Sequence, residues 1–236
     1  QNTGTYDDTI NYVSYFESMK QGFDAWQAAA ERKYVMGMFI WTGMDYLGEM
    51  TPYDYPARSS FFGVIDICGY PKDGYYFYRS VWKEQEPLVH IALNGWDFTP
   101  GEKRSVGIIT NCPAGKLYLN NREVGSWQDN ERIFFRDVEF EPGELRIVGT
   151  AADGRTAEES LHTSGTAERI ILEPYDNAPL KGDGHDLAFV TCTIADAAGR
   201  RVRNAAIPVT FQVEGIGTLE ALDNGLQTAP EPFRGT

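Results

Sequence analysis

The most constraining feature of this sequence is an apolar segment that runs directly into an acidic loop. Residues 34–41 have the composition of a buried strand and end at Trp41, and the loop that follows carries Asp45 and Glu49. In an α/β barrel the functional groups follow the carboxyl ends of the strands, because the strands themselves are filled by core packing. An indole beside carboxylates suits a sugar, whose C–H face packs on the ring while its hydroxyls donate to the oxygens. The alternative is a core tryptophan with solvated acids behind it.

Residues 1–86 alternate helical and apolar segments, as a barrel repeat does. Apolar side chains at i, i+3, i+4 and i+7 predict a helix over residues 12–19, and an Ala-rich segment predicts a second over residues 24–32. Pro71 is expected to open a third helix, because proline at the first helical position loses no hydrogen bond. The aromatic row of that helix is expected to face the core; it consists of Tyr75, Tyr78 and Trp82. A complete barrel takes roughly 250 residues, so this segment would supply only the last unit.

The rest of the chain is rich in short strands separated by turns. Over residues 87–165 this alternation is typical of a β-sandwich. Strands are expected there at residues 88–92, 105–110, 116–119, 133–140 and 145–150. A polar linker leads to a second strand-rich module over residues 166–236, which is similar to an immunoglobulin-like domain. Its strands are expected at residues 169–173, 187–195, 209–213 and 218–222.

The predicted fold class is therefore multi-domain. The last α/β unit of a (β/α)8 TIM barrel occupies residues 1–86, and a β-sandwich accessory domain occupies residues 87–165. An immunoglobulin-like domain, truncated at its last edge, occupies residues 166–236. The polar start at Gln1 and the unfinished terminal segment lead us to expect an internal piece of a longer protein.

Charge and cysteine content exclude several classes of partner and site. A net charge of −13 argues against nucleic acid and anionic membranes, since both require basic patches. No apolar run reaches the length of about 18 residues that a membrane span needs, so no membrane partner is expected. Cys68, Cys112 and Cys192 are widely spaced and form no CxxC pair, which predicts three buried free thiols and no structural zinc site.

One ordered run of motifs extends over roughly residues 30–86. It comprises the strand and loop of residues 39–49, then residues 51–53, 58–66 (RSSFFGVID), 69–73 (GYPKD) and 75–82 (YYFYRSVW). This run resembles the last barrel strand of glycoside hydrolase family 2, the β-galactosidase and β-glucuronidase group, and is most similar to the β-galactosidase-like members. The resemblance implies that Trp41 is the aromatic platform for the sugar in the subsite of the non-reducing residue. It also implies that β-sandwich modules follow the barrel.

The acidic and basic residues around this loop have several open roles. Asp45 and Glu49 either bind sugar hydroxyls or brace the loop through backbone N–H groups. Arg58 is expected to hold the same loop by bridging carboxylates. Asp66 is expected to cap or orient the chain near the final helix.

No catalytic residue is assigned to this chain. In the family, the acid/base and the nucleophile are glutamates at the ends of the fourth and seventh barrel strands, and no counterpart precedes residue 34. Asp45 and Glu49 lie in one loop, whereas a catalytic pair flanks the scissile bond. The resemblance implies a retaining mechanism, in which one glutamate attacks the anomeric carbon and the other protonates the leaving oxygen and then activates water. We therefore expect no turnover by this chain alone.

The remaining candidate sites give weaker signals. His90, His162 and His185 are isolated from one another along the sequence, and no Ser or Cys lies in a recognisable catalytic setting. The acidic turns of the third module are ordinary for sandwiches, so calcium is not favoured. No organic cofactor is implied by the resemblance. Galactosidases of the group can use magnesium or sodium, but no ligand set in this sequence establishes either.

Three functions remain open. The first is a part of a retaining exo-β-glycosidase, with β-galactosidase the expected activity, whose partners are a terminal β-galactoside or other β-glycoside and the remainder of the barrel. The second is a polysaccharide-binding module that uses an exposed Trp96 or Trp127. The third is a spacer or subunit contact, for which both indoles would be buried, and we favour it over the second. The glycone (galactose, glucuronic acid or mannose) and the oligomeric state, a homo-oligomer included, stay open. A bacterial periplasmic or secreted location is expected by analogy.

Overall fold

The computed structural model describes residues 21–50, 54–175, 179–224 and 233. Within these ranges two helices precede nine strands. Residues 21–30 form helix α1, and Asp73–Trp82 form helix α2. The strands are β1 Val89–Ala92, β2 Lys103–Thr110, β3 Ala114–Leu119, β4 Arg122–Gln128, β5 Ile133–Glu139, β6 Glu144–Thr150, β7 Thr156–His162, β8 Arg169–Pro174 and β9 Val190–Ala195.

Strands β1 to β7 form a β-sandwich of two antiparallel sheets. One sheet has the order β1-β2-β5 and the other has the order β4-β3-β6-β7. Strand β6 alternates buried and half-buried side chains along its length, which is the period-two pattern of a strand with one face on a core. The two sheets enclose one hydrophobic cluster, which includes Trp96, Val106, Ile108, Leu117, Leu145 and Ile147. All five strands predicted for this region are confirmed to within two residues at each end.

Both tryptophans of the sandwich lie in its core. Trp96 is fully buried and donates its indole N–H to the carbonyl of Glu141 over 3.0 Å. Trp127 is also buried, and its indole N–H donates to the carbonyl of Cys112 over 2.9 Å. Neither indole therefore presents a face to solvent, and the polysaccharide-binding surface that these two residues would have formed is absent from the described sandwich.

Helix α2 seats the N-terminal segment on the sandwich. It begins at Asp73, two residues after Pro71, close to the predicted start. Its buried apolar side chains belong to Phe77 and Val81 rather than to the predicted aromatic row, and Trp82 keeps 60% of its surface exposed. The prediction was one residue out of phase, because the sheet meets the helix along the neighbouring line of side chains. That line packs with Leu88, Ala92, Ile109 and Ile133, and with the partly buried Phe23 and Trp26 of helix α1.

The buried strand expected over residues 34–41 does not form in the described part of the chain. Residues 35–40 have no regular secondary structure, and the side chains of Tyr34, Met36 and Phe39 are exposed. A barrel strand is built by hydrogen bonds to a neighbour on each side, and the described residues supply none at this position. Backbone pairing begins only at the loop, where Met44 forms a parallel bridge with Ile65.

Helix α1 confirms the second predicted helix, with its described residues starting a few positions earlier than expected. The helix predicted over residues 12–19 lies outside the described residues. No described helix combines the length and the apolar character that a membrane crossing requires.

The third module is less regular than predicted. Strands β8 and β9 confirm two of the predicted strands, although β9 begins three residues later than predicted. They form an antiparallel ladder from Arg169↔Ala195 to Pro174↔Val190. The strands predicted at residues 209–213 and 218–222 are not formed, so the described residues do not complete an immunoglobulin-like sandwich. A two-stranded ribbon encloses no core of its own, and most side chains of β8 are accordingly exposed. The three cysteines are free as predicted, but only Cys112 is buried.

Candidate functional site

The candidate site is the loop after residue 41, where an indole and a carboxylate are presented together. The side chain of Trp41 is 74% exposed. Its indole N–H donates to the hydroxyl of Tyr46 over 3.3 Å, and that hydroxyl donates in turn to a carboxylate oxygen of Glu49. The rings of Trp41 and Tyr46 meet edge to face at 6.1 Å. The three side chains thus form one hydrogen-bonded unit, which we call the Trp41 wall, with Glu49 also exposed.

Tyr46 is the member of the Trp41 wall that sequence reasoning missed. Its backbone N–H donates to the hydroxyl of the buried Ser60 over 3.0 Å, and its carbonyl accepts from the N–H of Ser60 over 2.8 Å. The hydrogen bond to Glu49 is the largest of the effects that raise the pKa of the Tyr46 phenol. The phenol therefore keeps its proton at neutral pH. The sequence feature that could have identified Tyr46 is its position between Asp45 and Glu49, two of the predicted site residues.

Asp45 braces the loop instead of facing solvent. The side chain is 1% exposed. One carboxylate oxygen accepts from the N–H of Gly63 over 2.7 Å, and the other lies 2.7 Å from the ammonium of Lys72. A Cβ at residue 63 would lie 2.4 Å from the Asp45 backbone nitrogen, so this contact needs a glycine. Of the two roles predicted for Asp45, this geometry favours bracing, because both carboxylate oxygens are held by Gly63 and Lys72, and its contact with a sugar stays a prediction.

Lys72 is the cation that matches Asp45. Its side chain is 10% exposed, and its ammonium also donates to the carbonyl of Phe61 over 2.7 Å. Burial lowers the pKa of Lys72, and the hydrogen bond to Asp45 opposes that effect. A buried ion pair of this kind contributes little net stability, but removal of one partner leaves the other charge buried and unpaired. Lys72 and Asp45 therefore depend on each other to hold the loop.

Arg58 and Asp66 lie on the segment that runs beside the loop. The carbonyl of Arg58 accepts from the N–H of Gly48 over 2.6 Å, and its guanidinium lies 5.7 Å from the ring centroid of Phe233. The carboxylate bridge expected of Arg58 stays a prediction. Asp66 is buried, and one of its oxygens accepts from the backbone N–H groups of Cys68 and Tyr70 over 2.9 and 2.8 Å. It orients the turn that leads into helix α2.

A second polar cluster joins helix α2 to the sandwich. The buried imidazole of His90 lies 2.9 Å from Asp73 through Nε2 and 2.9 Å from Glu159 through Nδ1. The ring of Tyr76 stacks on it with centroids 3.7 Å apart. Burial works against the charged imidazole, but the two carboxylates outweigh it and raise the pKa of His90 to about 9. Sequence analysis did not identify this cluster, because its two carboxylates lie 17 and 69 positions away from His90 along the chain.

Within the described residues, no group of three or more His, Cys, Asp or Glu side chains is arranged to hold a metal ion.

The sequence matches two family models. Residues 172–236 match "Glycoside hydrolase family 2 C-terminal domain 5", and residues 101–158 match "Domain of unknown function (DUF4982)". The second match covers strands of the sandwich, so the described sandwich gives that domain a structure in this chain.

Relatives and solved structures support the same assignment. The chain is 36% identical over 208 residues to "Beta-galactosidase BoGH2A" of Bacteroides ovatus, covering 86% of this chain and 24% of that protein. It is 28% identical over 203 residues to a "Beta-glucuronidase" of Formosa agariphila, covering 84% of this chain and 20% of that protein. A crystal structure of a β-glycosidase from Bacteroides vulgatus superposes with a TM-score of 0.68 at 29% identity, covering 75% of this chain and 23% of that one.

The chain thus spans about a quarter or less of the length of these relatives. Its family models lie in the sandwich and in the third module, and its similarity to the relatives extends over most of its length. The chain belongs to glycoside hydrolase family 2 and corresponds to a C-terminal part of its members.

Proposed function

We propose that this chain is the C-terminal portion of a retaining exo-β-glycosidase and that it supplies one wall of the subsite for the terminal sugar. The observation that carries the proposal is the Trp41 wall, an exposed indole tied by Tyr46 to an exposed carboxylate. A sugar ring stacked on the indole would gain about 0.5–1.5 kcal/mol beyond simple burial. The carboxylate would accept hydrogen bonds from its hydroxyls.

The two catalytic glutamates are proposed to lie outside this chain, in the remainder of the barrel. The exposed apolar side chains of residues 34–41 support this arrangement, since Tyr34, Met36 and Phe39 offer a surface that neighbouring barrel strands would cover. Burial of apolar surface contributes about 25 cal/mol per Å², so docking of those strands would be strongly favourable. Residues 1–86 are then the last unit of the barrel, and the chain alone is expected to be inactive.

β-Galactosides are the proposed substrate class, with β-glucuronides the second candidate. The Bacteroides ovatus relative is named a β-galactosidase and the Formosa agariphila relative a β-glucuronidase, so the relatives support both. Glu49 favours a neutral sugar as the glycone, because a carboxylate on the Trp41 wall would repel the carboxylate of a glucuronide.

The sandwich is proposed to act as a structural support within this enzyme. The burial of Trp96 and Trp127 favours that role over polysaccharide binding, because a binding face needs exposed aromatic rings. The proposed location, periplasmic or secreted in a bacterium, rests on analogy alone.

The test is a tryptophan substitution in the full-length protein that contains this chain. Trp41→Ala should lower kcat/KM for nitrophenyl β-galactoside at least tenfold. Trp82→Ala is the matched control, since Trp82 is also exposed but lies on helix α2, and it should change kcat/KM less than twofold. Wild-type kinetics in the Trp41 variant would mean that the indole has only a packing role and does not bind the sugar. Parallel assays with nitrophenyl β-glucuronide decide between the two substrate classes.

A further inference from the structure

We propose that His90 is a positioning residue for the sugar subsite, acting from the sandwich through Asp73, Lys72 and Asp45 on the loop that bears Trp41 and Glu49. The inference rests on the proposed function and adds to it a route by which an accessory module sets the geometry of the glycone wall. The route consists of two short polar contacts joined by one backbone step.

The first contact fixes the start of helix α2 to the sandwich. His90 lies on β1 and Asp73 is the first residue of the helix, with 2.9 Å between Nε2 and the carboxylate. Glu159 on β7 takes the other ring nitrogen and also accepts the backbone N–H of Ile91 over 2.9 Å. The imidazole therefore ties the helix start to the edges of both sheets of the sandwich.

The second contact fixes the loop to the same helix start. Lys72 is the residue before Asp73 and occupies the N-cap position, but its side chain makes no capping hydrogen bond. Its ammonium instead reaches Asp45 and the carbonyl of Phe61, each over 2.7 Å. Its backbone N–H donates to the carbonyl of Val64 over 3.0 Å. A shift of the helix start would therefore move Lys72, and with it Asp45, four residues after Trp41.

Charged groups face His90 from every element packed against it. Helix α2 contributes Asp73 and the stacked ring of Tyr76, and β7 contributes Glu159. The third module contributes Arg203, a partly buried cation that interacts electrostatically with both carboxylates and with Asp97. Two carboxylates thus share the imidazole, and only the protonated imidazole can donate from both nitrogens at once.

The contacts of His90 with Asp73 and Glu159, which we call the clamp, are sensitive to alkaline pH because of this charge balance. Deprotonation of the imidazole leaves one of its two carboxylates without a donor from the ring. Because the carboxylates raise the pKa of His90 to about 9, the clamp is complete at neutral pH and weakens as the pH rises through that value. Loss of the clamp should then loosen the loop before it unfolds the sandwich.

The experiment compares His90→Gln with Val138→Ala in the full-length protein. Val138 is a buried residue at the far end of β5, remote from His90, and serves as a control for general loss of sandwich stability. Two readouts are followed at pH 7: KM for nitrophenyl β-galactoside and β-glucuronide, and amide hydrogen exchange in residues 42–50. The amides of Asp45, Tyr46 and Gly48 are hydrogen-bonded in the intact loop, so their exchange reports its position directly.

We expect His90→Gln to raise KM about fivefold with kcat changed less than twofold, which is the signature of lost uniform binding. Loop exchange should accelerate at least tenfold. Val138→Ala should leave both readouts within twofold of wild type. In a Lys72→Met background, His90→Gln should add less than twofold, because residues that act through one route are not additive.

Unchanged KM and loop exchange in His90→Gln would overturn the inference, and so would a full additional effect in the Lys72 background. If Val138→Ala has an equal effect, His90 contributes only to the stability of the sandwich and does not position the loop. If wild type turns over neither glycoside but loop exchange still responds to His90, the proposed function fails and the positioning route stands.

Discussion

The sandwich and the segment of residues 34–50 use apolar side chains in opposite ways. In the sandwich, Trp96, Ile108 and Leu145 are fully enclosed by strands of the same module. In the other segment, Phe39 and Trp41 stand in solvent although the sequence there is equally apolar. The difference shows that an apolar run specifies burial only where its strand partners are available. The two exposed aromatic side chains also differ in their proposed partners. Phe39 is proposed to be covered by neighbouring barrel strands, and Trp41 by the sugar.

The largest expected effect comes from removing a core side chain of the sandwich. Leu145→Ala should lower the free energy of unfolding by about 2–5 kcal/mol, because the cavity left in a packed core is only partly refilled. Phe39→Ala, the matched control in the exposed segment, should change it by less than about 0.5 kcal/mol. Urea unfolding of the chain measures both. Equal losses would mean that residues 34–50 belong to the same cooperative core and would break the comparison.

A smaller effect is expected at the joint between the two regions. The folded-state pKa of His90 lies above its ordinary value of 6.5, at about 9. The folded state therefore binds this proton more tightly, and the associated stability is complete below about pH 6.5 and is lost as the pH rises through about 9.

The melting temperature of the wild-type chain should accordingly fall by a few degrees between pH 6.5 and pH 9.5, measured by circular dichroism. In His90→Gln, most of this change of melting temperature with pH should disappear, and only the change due to the other titrating groups should remain. His162→Gln is the control, since His162 is a more exposed histidine on β7, and it should retain the wild-type slope. A slope unchanged in His90→Gln would contradict the clamp.

Local patterns predicted the regular elements and missed two strands. Short strand-like segments separated by turns predicted β5 and β6, and Pro71 predicted the start of helix α2. Strands β4 and β7 were not predicted. Both carry polar and charged side chains, and β7 is half exposed, so their pairing comes from neighbouring strands and not from a hydrophobic pattern. The strand predicted over residues 34–41 failed for the converse reason, since its pattern is strong but its partners are not among the described residues.

The candidate site divides in the same way. Trp41 and Glu49 were found from an aromatic and an acid in one loop, but the sequence does not show that Tyr46 connects them. The inward role of Asp45 depends on Lys72, 27 residues later. The His90 cluster depends on Glu159, 69 residues later. Contacts across such separations are set by the topology of the sheets, which a single sequence does not encode in its local periodicity.

The most direct measurement is a crystal structure of the full-length protein with bound galactose. The account predicts that the C–H face of the sugar packs on the Trp41 ring at van der Waals distance, about 4 Å between carbon atoms, with Glu49 within hydrogen-bond reach of a hydroxyl. It also predicts that both catalytic carboxylates come from residues outside this chain. A sugar bound away from Trp41, or an indole sealed inside a packed core with no cavity beside it, would contradict the central claim.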